Sequence, residues 1–156
     1  MSMLTDDMKR VIREQLLGFV ATTGADGTPN LSPKGSFFIV NDATIAFGEI
    51  RSPGTIRNLR SNARVEVNFV DPFIRKGYRF AGTSTVVARD DPSFETLLRS
   101  YGGTLSDRFR AIVAITIASA SPITSPAYDD GRDEAEIRRH WTRHFKVIQP
   151  DGRFSE

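Results

Sequence analysis

The sequence predicts a mainly β protein, an antiparallel barrel or strongly bent sheet of about six strands with short peripheral helices. Three observations carry that expectation. Apolar or alternating β-rich runs recur from about residue 19 to 120, the turn signals Asp26-Gly27 and Asn41-Asp42 join neighbouring runs, and no βαβ rhythm interrupts them. Bending or closing such a sheet also hides edge strands that would otherwise pair with other chains.

Thr5 followed by Asp6 and Asp7 reads as a helix N-cap with acids in the first turn. Met8, Val11, Ile12 and Leu16 recur at helical spacing, so a helix is expected over about 5–17, ended by Gly18. "FVATTGADGTPNLSP" then forms a first hairpin and "FFIVNDATIAFGEI" a second. "PGTIRNLRSN" is a short helix, and "ARVEVNFVD" is a strand with Val65, Val67 and Phe69 on one face. "YRFAGTSTVVAR" is another strand, and Asp91, Pro92 and Ser93 open a helix carrying Phe94, Leu97 and Leu98. "FRAIVAITIASA" is apolar on both faces, as expected of a strand buried inside the sheet. "SPITSPAYDDG" reads as a Pro-punctuated loop. "RDEAEIRRHWTRHF" is a charged terminal helix with Ile137, Trp141 and Phe145 four residues apart.

Composition narrows the classes. A chain of 156 residues with 39% hydrophobic content suits one globular domain, here residues 1–156 with a core at about 10–120 and a helical tail at about 132–146. Net charge is +2, from 21 Lys and Arg against 19 Asp and Glu, so any basic site is local and the whole molecule is no nucleic-acid coat. Cysteine is absent, which removes disulfides, thiolate metal sites and a Cys nucleophile together. "MSMLTDDMKR" lacks an apolar signal region, and the longest near-apolar run, "AIVAITIASA", is about half of a membrane span. A cytoplasmic protein with no membrane or nucleic-acid partner is expected.

Three short stretches could bind a ligand. In "GEIRSPGTIRNLRSN", Ser52 can cap a helix, Pro53 suits its first position, and Gly54 and Thr55 leave backbone N–H groups open. With Thr55 and Arg57 adding a hydroxyl and a guanidinium, a phosphate would fit; an ordinary capped surface helix is the alternative. In "NLSPKGSFF", Pro33, Lys34, Gly35 and Ser36 fall late in a strand, where Gly marks close approach of a ligand or another backbone. The alternative there is a β-bulge with a solvent-facing Lys34. "RKGYRF" brings Lys76 and Gly77 to the start of a strand, or else is a charge-protected edge.

Other chemistries lack their residues. No G-x-G-x-x-G and no Walker G-x-x-x-x-G-K-[ST] occurs, and no G-x-S-x-G elbow. His140 and His144 are i, i+4 but have no Glu between them and no third ligand in view, so no metal site is expected. Aromatics are not interleaved with the arginines as in single-strand nucleic-acid binders.

Taken in order, "GFVATTGADGTPNLSPKGSF", "TIAFGEIRSPGTIRNLRSN", "ARVEVNFVD" and "GYRFAGTSTVV" resemble the pyridoxamine 5'-phosphate oxidase-like family of FMN-binding split barrels, over roughly residues 10–120. That resemblance implies a six-stranded antiparallel split barrel and a homodimer with FMN in the subunit interface. By position, Lys34, Gly35 and Ser36, after Pro33, would lie along the flavin. Ser52, Thr55 and Arg57 would hold the phosphate, and Lys76 and Gly77 would sit where a further strand meets the ring. Lys34 or neighbouring N–H groups would stabilise the reduced ring. Authentic pyridoxamine phosphate oxidases carry an Arg-Lys pair where this chain has Gly54-Thr55, and a C-terminal Arg-x-His that Arg138 and His140 match only within a helix. The resemblance therefore implies FMN binding rather than vitamin B6 oxidation. It suggests a flavin-dependent oxidoreductase acting on a small molecule, with catalytic residues unassigned, or else a flavin carrier or sensor without turnover.

Overall fold

The computed structural model describes residues 3–149; residues 150–156, most of the terminal "QPDGRFSE", lie outside the described residues, as do the first two. Seven strands form one antiparallel sheet: β1 (Gly18–Thr23), β2 (Pro29–Lys34), β3 (Phe37–Asn41), β4 (Thr44–Glu49), β5 (Arg64–Asp71), β6 (Lys76–Ala88) and β7 (Ala111–Thr124). Their order is β2-β1-β5-β6-β7-β4-β3, so β2 and β3 are the two edges and the sheet is not closed by hydrogen bonds. The fold class is as expected, but there is one strand more than six, and the barrel is open along one seam.

That seam is narrow at one end. Lys34 ends β2 and Phe37 begins β3, so the opposite edges of the sheet are three Cα steps apart, at most about 11 Å. The sheet must curl strongly to allow this.

Side chains of one core fill the inside of the curl, where Val20, Phe37, Phe47, Val67, Phe69, Phe80, Val113 and Ile115 meet under α1 (Asp6–Gln15) and α2 (Pro53–Ser61). A second, smaller core lies on the outer face, where Phe38, Ala46 and Ile112 pack against Phe94 of α3 (Phe94–Leu98) and Phe109. Neighbours in sequence, Phe37 and Phe38 or Ile112 and Val113, thus serve opposite faces, as the two-residue strand period requires. Burial on both faces holds for the first residues of β7; beyond them the strand alternates and then becomes largely exposed.

β7 runs four residues into the segment expected as a loop, and "SPIT" pairs with the start of β6. Pro122 is tolerated there because β4 pairs only with Ala111–Thr116, leaving the rest of β7 with one free edge. β6 lies in the sheet interior between β5 and β7, which removes the reading of "RKGYRF" as an edge.

The helices follow their signals closely. Thr5 caps α1 by accepting the Met8 N–H at 3.2 Å, and the helix ends at Gln15, two residues before the expected end, with Leu16 at φ 58° closing it. α4 (Glu134–Ile148) begins with a capping box between Asp133 and Glu136. It is fastened to the β5–β6 turn: the Arg75 guanidinium lies 3.4 Å from the Trp141 ring centroid and Phe73 packs on Phe145 at 5.1 Å, while ahead of the helix the Tyr128 hydroxyl donates to the Ile74 carbonyl at 2.7 Å.

α1 is fastened to β6 by a titratable bond. The Tyr78 hydroxyl donates to Asp7 at 2.6 Å and Arg10 donates to the same carboxylate, and these partners, Tyr78 first, hold Asp7 below its ordinary value of 3.8. A depressed carboxyl stabilises the fold above its unfolded pKa and loses that contribution as pH falls through its folded pKa. Acid denaturation should therefore steepen below pH 3.8, and Tyr78→Phe should move the Asp7 titration, followed by carboxyl NMR, upward and flatten that limb. An unmoved Asp7 titration would show that the hydroxyl contributes nothing.

Candidate functional site

The seam between the two sheet edges is lined by chemistry. Ser32 to Ser36 on one side and Gly48 and Ile50 to Ser52 on the other, with Leu105 at the rim, border a groove of about 360 Å³. The groove exists because β4 hydrogen-bonds with β3, so the end of β4 and the start of α2 arrive beside the β2–β3 connection. Ser36 locks the corner, its hydroxyl donating to the Gly48 carbonyl at 2.7 Å.

Lys34 is the dominant group. It is 8% exposed, contrary to a solvent-facing bulge, and among the described residues its ammonium makes one hydrogen bond, to Ser32 Oγ at 2.5 Å, with the Phe47 ring centroid 5.9 Å away. Burial lowers its pKa from 10.5, and the charge of Glu49 opposes that shift. An ammonium has three donors, so the buried Lys34 brings unused hydrogen-bonding capacity and charge to an open groove. A Cβ added at Gly35 would meet nothing within 4 Å, so the backbone there is open to a flat ligand.

The other expected site residues are placed less uniformly. Ser52 lines the Lys34 groove, but its side chain does not cap α2; its N–H and hydroxyl both turn to Glu49. Thr55 is 2% exposed, so its hydroxyl is not presented to solvent at the helix start. Arg57 is on the outer side of α2, where with Arg60, Arg110 and Glu49 it borders a second depression of about 440 Å³. Lys76 and Gly77 are not brought to the groove within one chain. Lys76 pairs with Glu134 at 3.1 Å and lies 4.3 Å from the Tyr128 ring, while Gly77 is buried against the Phe69 carbonyl. Glu49 is the site residue that the sequence reading passed over. The available signal was an acid inside the apolar run "TIAFGEI", directly before a helix start.

The family model described as pyridoxamine 5'-phosphate oxidase matches residues 4–128. The chain belongs to the pyridoxamine 5'-phosphate oxidase family. Among solved structures, it is similar to HupZ of Group A Streptococcus, with 30% identity over 79% of this chain and 96% of that one and a TM-score of 0.67. An FMN-binding protein from Syntrophomonas wolfei shares 13% identity over 76% and 84% at a TM-score of 0.63. HutZ, a heme storage protein from Vibrio cholerae, shares 20% over 78% and 94% at 0.62. The last two likenesses establish the fold alone. No curated protein gives a significant match.

Family membership covers the sheet and α2 but stops at Tyr128, so α4 lies beyond the matched region. Among the described residues no helix is long and apolar enough to cross a membrane, and no group of metal-ligating side chains converges.

Proposed function

We propose that this family member binds FMN in the Lys34 groove and serves as a flavin-dependent oxidoreductase for a small molecule. The observation that carries the reading is Lys34, a buried ammonium with spare donors at an open two-residue connection, opposite the start of α2. Lys34 and the Gly35–Ser36 backbone suit the carbonyl edge of a flat ring, and α2 with Arg57 supplies positive potential for a phosphate. Bound flavin supplies hydride chemistry, taking two electrons and a proton from a donor such as a nicotinamide and passing electrons to oxygen or an organic acceptor. The protein's part is to orient the ring, exclude water from one face, and keep the Lys34 charge beside the edge that becomes negative.

A homodimer fits this reading. The face of β1, β2, β5 and β6 holds an open hollow of about 780 Å³, and near it Phe19 and Leu31 are 40% and 65% exposed. A second copy covering that face would bury these side chains and bring a partner surface toward the ligand. Lys76 and Gly77 could then act on the partner's site. A cytoplasmic setting accords with these soluble cofactors and substrates.

The test is an absorbance spectrum after adding FMN and desalting. Retained flavin bands that bleach with NADPH are the expected result. Retained flavin that resists every donor tried would favour the carrier reading, and a chain that retains added hemin but not FMN would replace the cofactor altogether.

A further inference from the structure

We propose that Glu49 sets how strongly this site distinguishes a phosphate-bearing flavin from one without the phosphate, and that it acts against the phosphate. The inference rests on the flavin reading above and names a selectivity device within it.

A helix start attracts anions through its unused N–H groups and the positive end of its dipole. In α2 this set is reduced but not empty: Pro53 has no N–H, while the Gly54 and Thr55 N–H groups are not used by the helix. The Ser52 N–H is taken by the Glu49 carboxylate, which also lies 3.4 Å from the Ser52 hydroxyl. Glu49 is 4% exposed, so a carboxylate of the chain itself already holds part of the position that an arriving phosphate would need.

The surroundings give this carboxylate cationic neighbours but no ion pair among the described residues. Lys34, in the neighbouring groove, feels its charge, yet no ion pair joins them; the Lys34 nitrogen bonds to Ser32 instead. Arg57, Arg60 and Arg110 border Glu49 on the other side, and none of them forms an ion pair among the described residues. A phosphate is drawn by these exposed arginines and repelled by the buried Glu49 at close range. The flavin ring, which is uncharged, meets Lys34 and the backbone without that conflict. Glu49 therefore subtracts from the phosphate contribution specifically.

FMN and riboflavin, titrated separately by quenching of flavin fluorescence, differ only in the phosphate. An unopposed helix start with an arginine should favour FMN by about a hundredfold or more, because each charge-assisted hydrogen bond is strong. In the unaltered chain the preference is expected to stay below about tenfold. In Glu49→Gln, whose amide oxygen can still accept the Ser52 N–H, the ratio of riboflavin Kd to FMN Kd should rise by about tenfold, mostly through FMN. Glu95→Gln, which removes the same charge from exposed α3, should leave the ratio unchanged. A preference above about tenfold in the unaltered chain overturns the proposal even if the Glu49 variant fails to fold, and so does an unchanged ratio in a folded variant. If neither flavin binds the unaltered chain, the flavin reading fails and this inference with it; if both bind at an unaltered ratio, only the inference fails.

Discussion

Gly77→Ala is expected to destabilise the domain by about 3 kcal/mol, lowering Tm by roughly 6–12 °C. Gly77 faces Val70 in the β5–β6 ladder, and a Cβ there would sit 1.9 Å from the Phe69 carbonyl oxygen and 2.8 Å from the Val70 Cα. Those are backbone atoms, so no side-chain rotation relieves the clash. The two strands must separate locally, which disturbs hydrogen bonds beside the fully buried Phe69 and Phe80. The damage extends to the neighbouring turn, where Arg75 and Phe73 hold α4. Urea and thermal unfolding of the purified variant would measure it; a Tm within about 2 °C of the parent would mean the ladder yields at little cost. Glycine at this position thus has a packing reason independent of any ligand.

Lys34→Met should separate binding from stability. Methionine keeps the length of the side chain and removes the ammonium, so FMN affinity is expected to fall about thirtyfold, roughly 2 kcal/mol, the worth of a charged hydrogen bond in a partly dry site. Folding stability should stay level or rise by up to about 1 kcal/mol. A lysine that is 8% exposed with one hydrogen bond is poorly compensated for its lost hydration, and methionine is not. Parallel flavin titration and urea unfolding would show the two effects with opposite sign. Equal affinity in the variant would remove Lys34 from the site, and a large loss of stability would make it a structural residue.

The sequence made local features legible where one or two residues impose them. Thr5 caps α1, Asp26-Gly27 turns the first hairpin with Gly27 at φ 83°, and Asp133 opens α4, each through chemistry confined to a few neighbours. Strand order was not legible, because β1 joins β5 and β4 joins β7 through contacts far apart in the chain that leave no short-range mark. Each of the seven strands has its segment in the sequence, although the expected total was about six, and the length of β7 was missed for a related reason. Pro122 signals a break locally, and only the free edge beyond Thr116 makes it harmless.

Within the site, Lys34 to Ser36 were identifiable as a kind of residue out of place in a strand, and the fold puts them at the seam. Their burial could not be read, since it depends on β4 and α2 arriving alongside. The spacing of Ser52, Thr55 and Arg57 suggests one cluster, and the fold spreads them: Ser52 borders the groove, Thr55 is buried, and Arg57 borders the second depression. Helical spacing fixes angle around an axis, and the two-residue step from Thr55 to Arg57 turns the side chain by about 200°.

The order of strands also dictates when the molecule can become itself during synthesis. β4 has β3 beside it at once, but its other neighbour is β7, more than sixty residues later, and β1 waits for β5. Until about residue 116 has left the ribosome, the hairpin of β3 and β4 carries an open apolar rim, with Ala46 and Phe47 that are wholly enclosed in the finished protein. Such late, long-range closure makes for slow folding, and it exposes the nascent chain to wrong partners through most of its translation. Truncated chains ending before β7 should accordingly be found with chaperones or in aggregates rather than as a smaller version of the same barrel.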